Sequence, residues 1–408
     1  VKTTGGSTHF QGLILNSTYT NSALPPYTYF NIDDGLPPWT PPPFRGPITD
    51  LGGTTYFWQK TDSGRPPEFY TWNFDVQHQL QQNMVFTIGY TGTRGVHLSS
   101  FVLNFNQMDP KYFTQYGRDL LLASITSPAA QAAGIPLPYP GFTGTVNQAL
   151  KPFPQWGDIQ TSGGQPSSIG ERAGNTSYHA MTIKLDKRYS SGLTLLSTYV
   201  LSKMLGDTDS TAIGGSGRIT MDHYNRRLEK ALSVDDQTHV FREAFTYALP
   251  IGRGRHFALQ GLADRLLGGW GVAGFLEYSS GTPRSVGPGL TSVPGGAGNR
   301  VFINSYSNWR APVSGAKFDP FKDVWWNKAA FGLDASGKQM TQTQLLYAGF
   351  GNAARFNPQE RAPWWLNENI TLSKSVDFTE RVRLTLRFEA FNLFNRVRMG
   401  GPDSTVTS

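Results

Sequence analysis

Hydrophobic and polar residues alternate along several short segments of this chain. In residues 381–396, RVRLTLRFEAFNLFNR, one set of alternate positions includes Val382 and Leu384, and the other includes Arg383 and Arg387. Neighbouring side chains of a β-strand point to opposite faces of its sheet, so the segment predicts a strand with one apolar and one charged face. Such a strand fits a soluble sheet with a buried core. It also fits a membrane barrel with a wet lumen.

The same test predicts four further strands, and three less regular segments, 193–203, 238–249 and 364–374, are predicted as strands beside them. Together the predicted strands span residues 69–80, 84–92, 177–187, 193–203, 238–249, 269–280, 364–374 and 382–394, with a further candidate around 8–16. Two of them place an acidic residue among apolar ones, because Glu243 shares a face with Phe241 and Glu368 shares a face with Ile370. The segment LTLLSTYVLSK is apolar on both faces.

The connections between these strands alternate in length. Short turns such as QQN and RYSSG follow the first strand of most pairs, and the link from 250 to 268 is longer but still modest. Long segments rich in Gly, Pro, Ser and Asn occupy 17–67, 108–173, 204–237 and 282–363. Long structureless loops are uncommon in compact soluble domains but ordinary on one side of an outer-membrane barrel. The alternation therefore predicts an all-β fold, an incomplete antiparallel transmembrane β-barrel with up-and-down strands, short periplasmic turns and long extracellular loops.

Composition narrows the function classes. Charged residues are 16% of the 408, against roughly 25% in typical soluble domains, and the net charge of +7 is spread along the chain. No block of Lys and Arg stands out, so we expect no nucleic-acid partner. The absence of cysteine excludes disulfides, cysteine-based zinc sites and cysteine nucleophiles. No apolar run is long enough for a transmembrane helix.

Motifs for catalysis and for metal binding are also missing. The seven histidines are scattered, and none forms a metal-binding pair. Asp207, Asp209 and Asp222 offer a weak calcium hypothesis, but their spacing is not that of a known calcium loop and a solvated loop is the better interpretation. We therefore expect no enzymatic activity, no metal and no cofactor.

Several segments carry a family resemblance. The stretches NTSYHAMTIKLDKRYSSG, LGGWGVAGFLEYSSG and LRFEAFNLFN lie in order within a region that covers most of 68–399, and they resemble the barrel of TonB-dependent outer-membrane receptors. The similarity is greatest to the Oar-like group, whose members carry an N-terminal carboxypeptidase-regulatory-like domain. The resemblance implies that residues 1–408 are part of a receptor barrel in the outer membrane of a Gram-negative bacterium, without the plug and the N-terminal domain.

The resemblance also implies a function and a set of partners. A receptor of this group takes up a scarce or bulky nutrient at the expense of energy delivered by the TonB complex. The implied partners are outer-membrane lipid, the protein's own plug domain, the TonB complex and an unknown small-molecule, glycan or peptide ligand. About nine strands cannot close a barrel that needs about 22, so we expect an internal or C-terminal piece with open sheet edges.

Two groups of residues are candidates for function. The first is a charged set on the predicted lumen face, where Arg383 and Arg387 repel each other and Glu389 offsets this only partly, which favours an acidic partner such as the plug. A water-facing wall that merely needs polarity is the simpler interpretation. The lumen set comprises Lys184, Asp186, Arg381, Arg383, Arg387 and Glu389.

The second group consists of tryptophans in the long loops, which could stack on a ligand or pack the loops together. It comprises Trp39, Trp58, Trp156, Trp309, Trp325 and Trp326. The alternative to a receptor is a secreted or surface β-rich adhesin or carbohydrate-binding module, with its apolar faces packed in a core. A glycoside hydrolase is a third hypothesis, although no carboxylate pair can be assigned.

Overall fold

The structure is a computed structural model. It describes residues 56–57, 65–98, 103–160, 172–208, 220–285, 300–303, 349–379 and 381–397, with shorter stretches between 294 and 344 and at residue 400. The candidate strand around 8–16 lies outside these residues. Within the described part, no helix is long and apolar enough to cross a membrane.

One large antiparallel sheet organises the described residues, and all eight principal strands were predicted. They are β2 (Glu68–Gln81), β3 (Met84–Leu98), β5 (Gly174–Ser190), β6 (Leu193–Gly206), β8 (His239–Ala248), β9 (Trp270–Ser279), β10 (Trp365–Thr379) and β11 (Val382–Ala390). Each pairs with the next in this order, and the short β7 (Ala231–Leu232) pairs with the end of β6. A separate parallel pair joins β1 (Tyr56–Phe57) to β4 (Ile159–Gln160).

Strand register gives the sheet two faces of opposite chemistry. One row of directly paired residues crosses seven strands and is apolar or aromatic throughout, with the members Val76, Ile88, Ile183, Tyr199, Phe241, Tyr278 and Leu366. The adjacent row, shifted by one residue in every strand, is polar throughout, with the members Gln77, Thr87, Lys184, Thr198, Arg242, Glu277 and Asn367. We call the sides that contain these rows the apolar face and the polar face.

The two ends of the sheet differ as the sequence predicted. At the short-turn end, residues 82–83 and 191–192 link their strands directly, β10 ends at Thr379 just before β11 begins at Val382, and residues 249–269 form a longer connection that contains the helix α4 (Gly261–Leu267). Ser191 and Gly192 have φ of 49° and 83°, which is the pair of positive values that a two-residue hairpin turn of the favoured type requires.

The last strand is shorter than the alternation predicted. It ends at Ala390 instead of residue 394, because Asn392 adopts a left-handed conformation (φ 50°) that takes the backbone out of the sheet ladder. The side chain of Asn392 holds the turn by accepting a hydrogen bond from the backbone N–H of Arg396 at 2.8 Å. The alternation loses its phase here, because Phe391 and Leu393 follow the set of positions that holds Arg387 and Glu389, and this break in the pattern is a signal of the turn that the prediction missed.

The long-loop end contains two small hydrophobic cores. In the β3–β5 connection, α1 (Lys111–Leu122), α2 (Pro128–Ala132) and α3 (Val146–Ala149) pack around Leu121, and Ser127 and Thr145 cap the last two helices through their hydroxyl groups. In the β9–β10 connection, a second core gathers Ile303, Trp309, Trp326, Ala330, Phe331 and Ala353.

Candidate functional site

The apolar face is open to its surroundings over much of its area. Phe74 is 69% exposed and Phe388 is 59% exposed, although both lie inside long strands. Other large exposed side chains of this face are Val76, Leu80, Ile88, Leu201, Leu372, Leu384 and Leu386. An apolar surface of this extent on a sheet is the mark of a face that contacts lipid or another protein.

Aromatic and histidine side chains cluster on this face toward the long-loop end. The Tyr90 hydroxyl lies 2.7 Å from Nδ1 of His179, and the Tyr199 hydroxyl lies 2.8 Å from Nδ1 of His239. Trp364 stacks on His239 with ring centroids 5.9 Å apart. Such amphipathic rings suit the boundary between hydrocarbon and water.

Ion pairs follow the polar face. Arg242 donates to Glu277 at 2.8 Å, and Lys184 lies 3.6 Å from Asp186. An open depression of about 390 Å³ lies on the same face, across β6, β8, β9 and β10. Its lining consists of the apolar residues Leu196, Ala244, Ala273 and Phe275 and the polar residues Thr194, Thr246, Asn369 and Thr371. The polar face therefore combines balanced charge with one shallow apolar hollow.

Five of the six predicted lumen residues lie on this face, and the sequence analysis missed one residue beside them. Lys184, Asp186, Arg383, Arg387 and Glu389 lie on strands, whereas Arg381 lies in the β10–β11 turn. The expected repulsion between Arg383 and Arg387 is relieved by a carboxylate that the sequence reasoning overlooked. Asp377 accepts two hydrogen bonds from Arg383, at 2.5 and 3.2 Å, and Glu389 lies 3.6 Å from Arg387.

Glu368 shows how an acidic residue is kept on the apolar face. It is 1% exposed, and its carboxylate accepts a hydrogen bond from Arg396 at 3.1 Å. The turn after β11 brings Arg396 there, because Asn392 donates its backbone N–H to the side chain of Asn369 at 3.0 Å. A buried charge needs a partner. Because β11 ends early, the chain turns back and supplies Arg396 as the partner of Glu368.

The three long connections are joined by buried polar contacts, and we call their described parts together the loop cap. Gln107 of the first connection donates to Asp222 of the second at 2.8 Å. Arg300 of the third donates to Glu229 of the second at 2.5 Å, and Arg361 donates to Asp236 at 2.6 Å. Of the aspartates in the calcium hypothesis, Asp222 instead accepts a hydrogen bond that joins two connections of the cap. Asp209 lies outside the described residues.

The predicted loop tryptophans divide into buried and half-buried side chains. Trp309 and Trp326 belong to the core of the third connection, which favours packing over ligand stacking for both. Trp325 is half-buried, with the guanidinium of Arg310 4.6 Å from its ring centroid. Trp156 is half-buried beside Phe153 in the first connection, and Trp39 and Trp58 lie outside the described residues.

A buried carboxyl group lies beside Trp325. Glu360 is fully buried, and the Trp325 indole N–H donates to it at 3.3 Å. Burial raises the pKa of Glu360 to about 7, which the hydrogen bond from Trp325 and the charge of Arg284 oppose only in part. The loop cap therefore holds a group that titrates near neutral pH.

Comparison with known families decides what kind of sheet this is. The family model described as an outer membrane beta barrel domain matches residues 2–408. The chain belongs to this outer membrane β-barrel family. Its lipid-facing surface is then the apolar face, and its lumen-facing surface is the polar face.

The other comparisons do not narrow the family assignment further. No curated protein matches the chain significantly. Among solved structures, the chain is similar to the outer membrane transporter YddB from Escherichia coli, with 10% sequence identity and a TM-score of 0.34. That similarity covers 85% of this chain and 31% of the transporter, so the chain spans about a third of the length of that protein.

Family membership also settles location and orientation. An outer-membrane β-barrel protein resides in the outer membrane of a Gram-negative bacterium. Proteins of this kind have short periplasmic turns and longer outer loops, so the short-turn end faces the periplasm and the loop cap faces outward. A secreted soluble module would bury its apolar face, and neither the family nor the exposure of Phe74 and Phe388 supports that alternative.

Proposed function

We propose that this chain contributes the wall and the outer loops of an outer-membrane transporter. The observation that supports the proposal is the continuous polar row from Gln77 to Asn367, which gives the membrane-spanning wall a water-facing lining across seven strands. The open hollow beside Phe275 and Asn369 adds an apolar contact surface within that lining. Movement of a solute along such a wall needs no covalent step.

The finer proposal is energy-coupled uptake of a scarce or bulky nutrient by a TonB-dependent, Oar-like receptor. It rests on the resemblance of the segments around β5, β9 and β11 to that group. In such a receptor a plug would contact the polar face, and the loop cap would meet the ligand first. The joints Arg300–Glu229 and Arg361–Asp236 support the latter role, because they fix the outer loops in one arrangement.

The test compares three strains of the source bacterium, namely a strain without the parent gene, a strain without TonB, and the wild type. We expect the first two strains to share a growth defect on at least one limiting iron, carbon or nitrogen source. Wild-type parent protein should restore growth in the first strain only. Normal growth on every source, together with loss of surface attachment, would replace transport by adhesion.

A biochemical control separates TonB dependence from passive diffusion. The full parent protein, solubilised in detergent, is passed over immobilised periplasmic domain of TonB. Retention that increases when nutrient extract is added supports the energy-coupled receptor. A protein that passes unretained in both conditions, but conducts ions in a planar bilayer, is a passive pore.

A further inference from the structure

The β8–β9 connection at the periplasmic end has a compact fold of its own. The backbone N–H of Gly252 donates to the carbonyl of Phe257 at 3.0 Å, which closes a small loop. Asp264 on α4 accepts a hydrogen bond from the backbone N–H of Arg253 at 2.7 Å, which ties the helix to that loop. The connection is therefore a built element and not a bare turn.

This element exposes large apolar side chains. Leu262 is 75% exposed, Leu266 is 69% exposed and Leu267 is 58% exposed, and Phe257 beside them is 59% exposed. Leu262 and Leu266 lie four positions apart in α4, so they project from the same side of the helix. Exposed leucines on a periplasmic helix cost free energy in water unless an apolar environment covers them.

Contacts place the element against the lipid-facing side of the sheet. The indole N–H of Trp270 donates to the carbonyl of Leu266 at 3.3 Å, and the ammonium group of Lys374 donates to the carbonyl of Gly268. Trp270 and Lys374 are paired residues of the apolar face, where the ammonium lies 5.5 Å from the centroid of the Trp270 ring. The leucines of α4 thus continue the lipid-facing surface at its periplasmic rim.

Basic side chains accompany these leucines in the same connection. Arg253, Arg255, His256 and Arg265 are all exposed in the same connection, and Arg188 is exposed at the end of β5. The guanidinium of Arg255 reaches the Tyr189 hydroxyl at 3.5 Å, which holds it at the membrane rim. Asp264, the acidic residue within α4, is already used in the contact with Arg253.

We propose that residues 250–269 form an interfacial anchor that binds anionic phospholipids of the periplasmic leaflet. Leu262, Leu266 and Leu267 enter the acyl-chain boundary, and the arginines pair with headgroup phosphates. A helix with apolar residues on one side and basic residues beside them is suited to this position at a membrane surface. The proposal rests on membership of the outer-membrane barrel family and is independent of transport.

Spin labels measure whether α4 lies in lipid. The chain contains no cysteine, so the variants Leu262→Cys and Leu266→Cys each accept one label within it, after removal of any cysteine elsewhere in the parent protein. Gln82→Cys, in the exposed β2–β3 turn at the same end, is the matched control. In phosphatidylglycerol–phosphatidylcholine vesicles, we expect oxygen to reach the two helix labels and a water-soluble nickel complex to reach only the control. Equal access of nickel to all three labels would overturn the anchor.

Charge variants test the choice of lipid. The triple variant Arg253→Gln, Arg255→Gln, Arg265→Gln is compared with Lys111→Gln, Lys322→Gln, Lys338→Gln, which removes the same charge at the loop end. In nanodiscs with equal amounts of the two lipids, we expect native mass spectrometry to show preferential retention of phosphatidylglycerol. The first triple variant should lose roughly tenfold or more of that preference, and the second should keep it. No preference in the wild type, or helix labels that become shielded only when the TonB complex is added, would reject lipid as the occupant.

Discussion

The wall and the loop cap of this protein are stabilised in different ways. In the wall, backbone ladders join neighbours in the sheet, and side chains mainly choose the face, as the rows through Ile183 and Lys184 show. In the loop cap, segments far apart in sequence are joined by single buried contacts such as Arg361–Asp236 and Gln107–Asp222. The wall therefore distributes its stability, whereas the cap concentrates it.

This difference has a consequence for substitutions. The effect of substituting a wall residue depends on the face on which it lies, because neighbouring residues of a strand face lipid and water in turn. The effect of substituting a cap residue depends on its individual partner, because the loss of one residue of a buried pair leaves the charge of the other without compensation. Paired substitutions can separate these two rules.

The largest expected effect is in the cap. Arg361→Gln removes the guanidinium that pairs with Asp236, whose side chain is fully buried. Breaking a buried pair of this kind costs about 3–5 kcal/mol, so the contact between the third connection and the second should weaken even though Arg300–Glu229 is intact. Hydrogen exchange of the parent protein in nanodiscs should show faster exchange in both connections. The exposed pair Lys322–Asp319 is the control, and Lys322→Gln should change nothing. Similar exchange in the two variants would contradict a cap with concentrated stability.

An arginine substitution in the wall should have a comparable effect on stability, and only where the residue lies on the apolar face. Ile183→Arg places a charge in the middle of the lipid-facing row, where it costs about 2–4 kcal/mol. Thr182→Arg, one residue earlier, places the same charge on the polar face and should be tolerated. The heat-dependent gel mobility of the parent protein folded into vesicles, followed in a urea series, gives both stabilities. Equal destabilisation by the two changes would mean that the assigned faces are wrong.

The wall could be predicted from sequence because its signal is local. Alternation over about ten residues gave most of the principal strands, an apolar run gave β6, and the lengths of the connections gave the direction of each. The prediction failed at residues 391–394, where Asn392 adopts positive φ and the alternation loses its phase after Ala390. Backbone conformation at one asparagine is not encoded in a hydrophobic pattern.

The cap and the ion pairs of the wall could be predicted only in part. Tryptophans in the long loops were recognised, but the packing of Trp309 against Trp326 depends on contacts within a fold that the sequence pattern does not describe. Asp377 was missed as the partner of Arg383 because their contact crosses the β10–β11 hairpin. Hairpin register would have supplied it, since the two residues are directly paired.

A smaller effect depends on pH and lies in the cap again. The pKa of Glu360 rises from 4.5 to about 7 on folding, so the folded cap retains a proton that the unfolded chain releases between these values. Cap stability should therefore fall as pH rises from 4.5 through 7, by about 3 kcal/mol, and level off above that. Protection from hydrogen exchange around Trp325, corrected for the intrinsic effect of pH, measures this change. Glu360→Gln should abolish the slope, and an unaltered slope would assign it to another group.

The smallest expected effect returns to the wall and tests its predicted role in holding a plug. Arg383 and Arg387 form exposed pairs with Asp377 and Glu389, and such pairs contribute little to stability because solvent screens them. The double variant Arg383→Gln, Arg387→Gln should therefore fold normally in the proposed receptor.

Plug retention in that variant separates the two interpretations of the charged face. Because each arginine already has a carboxylate beside it, we expect retention to be unchanged, as for a lining that needs only polarity. Asp377→Asn sharpens the test, because it frees Arg383 for another acidic partner. If the plug, after mild urea treatment, dissociates more readily from the double variant and less readily from Asp377→Asn, the arginines bind it, and charge on this face has a specific function.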